Sequence, residues 1–203
     1  DALMALLLRH VTNDLEHNDH RAVGQSLAMA DYLRDFSALS AANQQAVCGL
    51  WGPPEADPMV RAGRFMVPGL RLGQVFVGIQ PSRGRDLDGV ASYHDADLVP
   101  PHGYLAFYFW LRRAFCVDAV VHVGKHGNLE WLPGKSVALG AACWPDALLG
   151  PLPHLYPFIV NDPGEGSQAK RRSQAVIIDH LMPALTRAES YGPLQDLERS
   201  MDE

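Results

Sequence analysis

Asp118-Ala119-Val120-Val121-His122-Val123-Gly124-Lys125-His126-Gly127-Asn128-Leu129-Glu130-Trp131-Leu132-Pro133-Gly134-Lys135 decides how this chain is read. Asp118 to Val123 is nearly all apolar and rich in β-branched residues, which predicts a strand covered on both faces, as in parallel sheets. The strand meets a polar turn carrying two imidazoles, a lysine and a carboxylate. Gly124, Gly127, Pro133 and Gly134 then favour non-helical backbone.

The same grammar recurs on either side. Gly73 to Gln80 reads as a strand stopped by Pro81, and Pro81-Ser82-Arg83-Gly84 follows it directly. Such a loop at a strand's carboxyl end is where open α/β sheets bind ligands, with Arg83 the candidate anion contact; a plain turn explains it equally well. Tyr93-His94-Asp95-Ala96-Asp97 to His102-Gly103 reads either as a metal-collecting loop or as the capped entry, with Pro101, to a helix from Gly103 to Phe115. That helix is heavily aromatic and is expected to be buried. Leu155 to Val160 is a further apolar strand, delivering Asn161-Asp162-Pro163-Gly164-Glu165-Gly166. A helix from Ser167 to Leu181 follows, with Ile177, Ile178 and Leu181 as its inner face.

From about residue 64 the order is therefore strand, loop, helix, repeated. It predicts an α/β fold with a mostly parallel sheet and flanking helices. Polar loops at 81–85, 122–130 and 161–166 would gather at one sheet edge. The first part of the chain reads as helical: Leu3, Leu6, Leu7 and His10 share a face, as do Val23, Leu27, Ala30, Leu33 and Phe36, and Ser40 can cap a helix to Leu50. Trp51-Gly52-Pro53-Pro54 to Pro58 is a breaker cluster, giving a helical segment 1–58 and an α/β core segment 59–203.

The 203 residues include 47% apolar and 20% charged side chains, an ordinary globular balance. A net charge of −6 without a basic stripe argues against nucleic-acid binding. No apolar run approaches a membrane span. Cys48, Cys116 and Cys143 are too widely spaced for a disulfide framework or a zinc knuckle, and fit a reduced cytoplasmic setting. The chain opens on Asp1 and closes on a charged, helix-like stretch, which reads as a piece of a longer protein.

His122, His126 and Glu130 are spaced i, i+4, i+8, but the glycines between them require a folded loop rather than a helix face. The set suits a metal or proton-transfer site; capped turns and core histidines are the plain alternative. HxxxH lacks the inner glutamate of the zinc-protease motif. The 161–166 loop offers backbone N–H groups to an anion, which Asp162 and Glu165 oppose unless they cap the helix or bind a cation. Lys170, Arg171 and Arg172 follow, either near that anion or as a solvated face.

The stretch His122 to Lys135 closely resembles the signature of the large subunits of aerobic cobaltochelatases, and more loosely that of magnesium chelatase large subunits. The likeness continues through Gly150 to Gly166, Ala169 to Arg172, Gly78 to Pro81 and Tyr93 to Tyr104. Lys125, Asn128 and Trp131 resemble the cobalt enzymes, where magnesium enzymes more often have threonine, a small residue and phenylalanine. The resemblance implies a fragment of a larger multidomain subunit in an ATP-dependent ligase forming nitrogen–metal bonds. Its substrates would be Co²⁺ and the corrin hydrogenobyrinic acid a,c-diamide, on the aerobic route to cobalamin.

The implied partners are an AAA+ ATPase subunit, hydrolysing ATP with or without Mg²⁺, and a second small chelatase subunit. No nucleic acid or membrane is implied. On this reading Glu130 is the base or metal-delivery ligand, with His122 and His126 as ligands or orienters and His94 a further metal candidate. Lys125, Arg83, Asn161, Gly164 and Gly166 would contact the ring's acidic side chains. A magnesium chelatase subunit acting on protoporphyrin, a non-catalytic architectural segment and a metallohydrolase are the alternatives.

Overall fold

The structure, a computed structural model, describes residues 24–84, 95, 97–125, 127–159, 162–179, 193, 196, 200 and 201. The expected helix around Leu3 to His10 lies outside them.

Strand β1 (Gln25–Ala28) leads directly into helix α1 (Met29–Ser37). The helix face expected from Val23 to Phe36 begins later among the described residues: Gln25 to Ala28 pair antiparallel with β3 (Arg64–Val67), from Gln25↔Val67 to Ala28↔Arg64. Pairing with a partner about forty residues away overrides local helix spacing. The short strand β2 (Val60–Arg61) completes this sheet in the order β1-β3-β2. Tyr32 and Phe36, one turn apart on α1, are buried and stack at 5.6 Å, whereas Leu33 stays exposed.

Helix α2 (Ala41–Trp51) begins as its sequence requires: the Ser40 hydroxyl accepts the Asn43 N–H at 3.1 Å. It ends at Gly52, whose φ of 78° suits only glycine without strain. The proline-rich segment that follows is stapled down. Asp57 accepts the Met59 and Gly103 N–H groups at 2.8 and 3.0 Å, and Trp51 Nε1 donates to the Val99 carbonyl at 2.8 Å. His102 Nε2 donates to the Gly52 carbonyl, so its Nδ1 accepts from the Tyr32 hydroxyl. Residues on both sides of the breaker, from Leu27 and Val47 to Phe65 and Leu105, thus share one hydrophobic core.

The expected strand at Gly73 to Gln80 is shorter: β5 (Val75–Val77) forms an antiparallel hairpin with β4 (Leu70–Leu72), not a member of the parallel sheet. Helix α3 (His102–Phe109) continues in a wider turn through Phe115 and is buried almost all round, as its aromatic sequence predicts.

The parallel sheet holds β6 (Val120–Val121), β7 (His154–Pro157) and β8 (Val176–Ile178) in sequence order. A bridge from Gly124 to Phe158 extends the first pair. Helix α4 (Trp144–Leu149) precedes β7, and α5 (Pro163–Arg172) joins β7 to β8. Two expectations change here. The helix predicted to reach Leu181 stops at Arg172; Gln174 turns the chain at φ 54°, and the β-branched run Val176 to Ile178 becomes a strand (Leu181 lies outside the described residues).

Among the described residues, the sheet is also covered on one face only. His154, Tyr156 and Phe158 point under α5, while Val121, Val123, Ile159, Val176 and Ile178 remain 51–67% exposed. Pro193, Asp196, Ser200 and Met201 are helical, in keeping with the expected C-terminal helix. Among the described residues, no helix is long and apolar enough to cross a membrane.

Candidate functional site

The loop after β6 folds back on itself in a short turn, Leu129–Trp131, and this buries Glu130 completely. Its Oε1 accepts the Gly127 N–H at 2.8 Å, closing the turn, and the Tyr156 hydroxyl at 3.3 Å. Its Oε2 is buried with no partner. Burial, and after it the nearby Glu130 charge, holds the Tyr156 phenol far above its usual range, so this hydroxyl stays a donor.

Period-two alternation along β7 puts His154, Tyr156 and Phe158 on one face. Tyr156 stacks on His122 at 4.4 Å with 14° between the planes, and on His154 at 5.6 Å. The edge of His122 lies against Gly127, where an added Cβ would come within 2.1 Å of its Cε1. His154 Nδ1 donates to the Ser173 carbonyl at 3.0 Å, which leaves Nε2 as a buried lone pair without a partner. Burial pushes the pKa of His154 down, so the ring stays neutral.

The turn is held from three sides. Gln80 Oε1 accepts the Asn128 N–H, Gln80 Nε2 donates to the Tyr108 hydroxyl at 2.8 Å, and Asn128 Nδ2 donates to the Pro81 carbonyl at 3.3 Å. Burial pushes the Tyr108 pKa up to about 12. From α5, Arg172 donates to the carbonyls of Glu130, Leu132 and Lys135 at 2.9, 2.7 and 3.1 Å. Arg83, expected as an anion contact, lies buried instead; it donates to the Trp131 carbonyl at 2.9 Å and to that of Asp95. A guanidinium has enough donors to hold two loops at once, and here it braces the backbone that carries Glu130.

Lys125 is half-exposed and reaches Asp162 Oδ2 at 3.6 Å, tying the first loop to the start of α5. Asp162 Oδ1 caps that helix by accepting the Glu165 N–H at 3.3 Å. Gly164 is exposed in the first turn, and Gly166 is buried opposite Ile177. His94, His126 and Asn161 lie outside the described residues. Among the described residues, no three His, Cys, Asp or Glu side chains lie close enough to hold a metal ion.

The three polar loops of the sequence thus meet, through Gln80 and Pro81, Lys125 and Asn128, and Asp162. Arg172, Tyr156, His154 and Gln80 belong to the arrangement as well. A polar side chain at every second position of β7 was the signal for two of them. What results is a sequestered carboxylate with a free lone pair, a fixed phenol donor and a neutral imidazole acceptor. Such a set can take protons or share lone pairs with a cation.

The described segment is thus of the α/β class, a three-stranded parallel sheet with flanking helices and with acceptors buried against the turn that follows its first strand. The chain matches the CobN/Magnesium Chelatase family over residues 1–203 and belongs to it. It is 71% identical to the aerobic cobaltochelatase subunit CobN of Pseudomonas aeruginosa, over 99% of this chain and 16% of that protein. Identity to the Sinorhizobium sp. CobN is 58%, over all of this chain and 16% of that protein. A magnesium-chelatase subunit of Chlorobaculum parvum is 43% identical over 72% of this chain and 11% of its own length. Among solved structures, the catalytic subunit of cobaltochelatase from Mycobacterium tuberculosis superposes with a TM-score of 0.74 at 43% identity, covering 98% of this chain and 17% of that one. The chain therefore spans about one-sixth of the cobaltochelatase relatives it matches.

Proposed function

We propose that this segment forms part of the ring- and metal-handling subunit of an ATP-dependent cobaltochelatase. That subunit would insert Co²⁺ into the corrin ring of hydrogenobyrinic acid a,c-diamide during aerobic cobalamin synthesis. Glu130 takes a proton from a ring nitrogen or delivers the metal. His122 and His126 act beside it as ligands or orienters, with His94 a further metal candidate. Lys125, Asn161 and the start of α5 at Gly164 and Gly166 meet the ring's acidic side chains, while Arg83 holds the Trp131 backbone in place. An AAA+ ATPase subunit, using ATP and Mg²⁺, and a second small subunit drive the cycle in the cytoplasm.

The observation that carries this reading is the partnerless, buried Oε2 of Glu130 beside the Tyr156 hydroxyl. A buried carboxylate oxygen without a donor is costly, and receiving a proton or a cation is one way for such a group to be used. Metal insertion brings guests of the right kind, namely ring N–H groups and a dication. Cobalt is favoured over magnesium because identity to the two cobaltochelatase subunits is 71% and 58%, against 43% for the magnesium subunit.

The test is reconstitution of the full-length subunit with its ATPase partners. Corrin and protoporphyrin are offered with Co²⁺ or Mg²⁺, and insertion is followed by visible absorbance. Turnover with corrin and Co²⁺ is expected; turnover only with protoporphyrin and Mg²⁺ would overturn the assignment.

A further inference from the structure

The parallel sheet has two faces of different character. Alternation along β7 sends Tyr156 and Phe158 to one side, where Ala169 of α5 packs with them and the Leu129–Trp131 turn brings Glu130 to the Tyr156 hydroxyl. The other side is apolar throughout. The register sets Val121 beside Leu155 and Leu155 beside Val176, one row across all three strands. Pro157 and Ile178 pair in the next row. Val123 and Ile159 lie one alternation past Val121 and Pro157, where the bridge from Gly124 to Phe158 keeps the chains side by side. The two rows contain no polar side chain, yet Val121, Val123, Ile159, Val176 and Ile178 are 51–67% exposed.

The connections within this sheet lie on its opposite side. The strands stand in sequence order, and right-handed crossovers that step in one direction fall on one face. Accordingly α5, between β7 and β8, and the turn between β6 and β7 both lie against the Tyr156 side. Parallel sheets occur almost only with both faces covered, and an open apolar face of this kind marks an interaction surface.

We propose that this face is an internal interface of the subunit, covered by a helical layer from the part of the same polypeptide beyond these 203 residues. Length allows it: the chain spans only 16% of each of the two CobN subunits it matches. Composition separates this occupant from the others. Rows of aliphatic side chains without a charge resemble a core cut in half, as permanent interfaces do, whereas a surface that meets and leaves a partner subunit is more polar. A second copy would set sheet against sheet, an arrangement of antiparallel sandwiches; parallel sheets take helices. Val123 and Ile159 stand close before the loops that carry Lys125 and Asp162, so the covering layer also steadies the strand ends from which those loops leave. It is required whether or not Glu130 acts on a ring.

The experiment uses the full-length subunit without its ATPase partners. Val121→Cys and Val176→Cys, close in size to the valines they replace, are treated with a water-soluble maleimide, and modification at each position is followed by peptide mass spectrometry. The same variants in urea give the rate of a free thiol. Labelling of the folded subunit is expected to be slower on the order of 100-fold or more, as for groups reached only through local opening. That protection is expected to be the same at every protein concentration. Hydroxyl-radical footprinting of the unaltered subunit reads Ile159 and Ile178 without any substitution, and is expected to find both protected.

Labelling at the rate seen in urea, with both isoleucines oxidised, would show a face open to water and overturn the proposal. Protection that appears only as concentration rises, together with a dimer in light scattering, would assign the face to a second copy. Protection that appears only when the ATPase partners are added would assign it to them. Either of these results overturns it as well.

Discussion

The Tyr156 hydroxyl donates to Glu130 Oε1 across 3.3 Å, joining the middle strand of the parallel sheet to the turn that follows β6. The hydroxyl and the Gly127 N–H both bind Oε1, so the turn and the strand fix one carboxylate oxygen and leave the other for chemistry.

Tyr156→Phe removes that donor while keeping the ring that stacks on His122. Loss of one buried hydrogen bond is expected to cost about 1 kcal/mol in denaturant unfolding. In the full-length subunit, insertion is expected to slow about 10-fold, because one tenfold step corresponds to about 1.4 kcal/mol of lost transition-state stabilisation. Ring affinity is expected to be unchanged.

Gly127→Ala tests the closeness of the loop. The new Cβ would lie 2.1 Å from His122 Cε1 and 2.9 Å from Gln80 Oε1, so both side chains must move. A cost of roughly 1–3 kcal/mol is expected on unfolding, as for other overpacked sites, with loss of insertion.

Arg172→Lys probes the clamp on residues 130–135. A single ammonium cannot span three carbonyls as the guanidinium does. Thermal melting is expected to show a loss of roughly 2 kcal/mol, nearly as large as for Arg172→Ala.

Stability is expected to fall at both ends of the pH scale. His154 has its folded pKa below the ordinary 6.5, so the unfolded chain binds more protons as pH drops through that value. Its contribution is full above 6.5 and is lost progressively toward the lower folded pKa. Tyr156 is shifted the other way, so its contribution is full below pH 10 and declines above it. Melting curves across pH check both limbs, and His154→Asn is expected to flatten the acidic one.

The features legible in the sequence are those set by neighbours along the chain. Ser40 caps its helix, and the 122–135 stretch folds back as a polar loop rather than an α-helix among its described residues, apart from a single 3₁₀ turn at Leu129–Trp131. What escaped depends on distant partners. Gln25 to Ala28 is a strand only because Arg64 to Val67 lies beside it. Ile177 and Ile178 fit a helix face until Gln174 reverses the chain and β7 offers its edge. Arg83 is basic and follows a strand, but only the fold shows that it points into carbonyls. His154 and Tyr156 were within reach: a polar residue at every second position of an apolar strand marks one face as something other than core.

The most direct measurement is the insertion rate of Glu130→Gln in the full-length subunit with its ATPase partners, Co²⁺ and corrin, alongside a ring-binding titration. Expected is a rate lower by at least about 100-fold, with ring affinity close to wild type. Insertion at the wild-type rate would contradict the role given to this carboxylate.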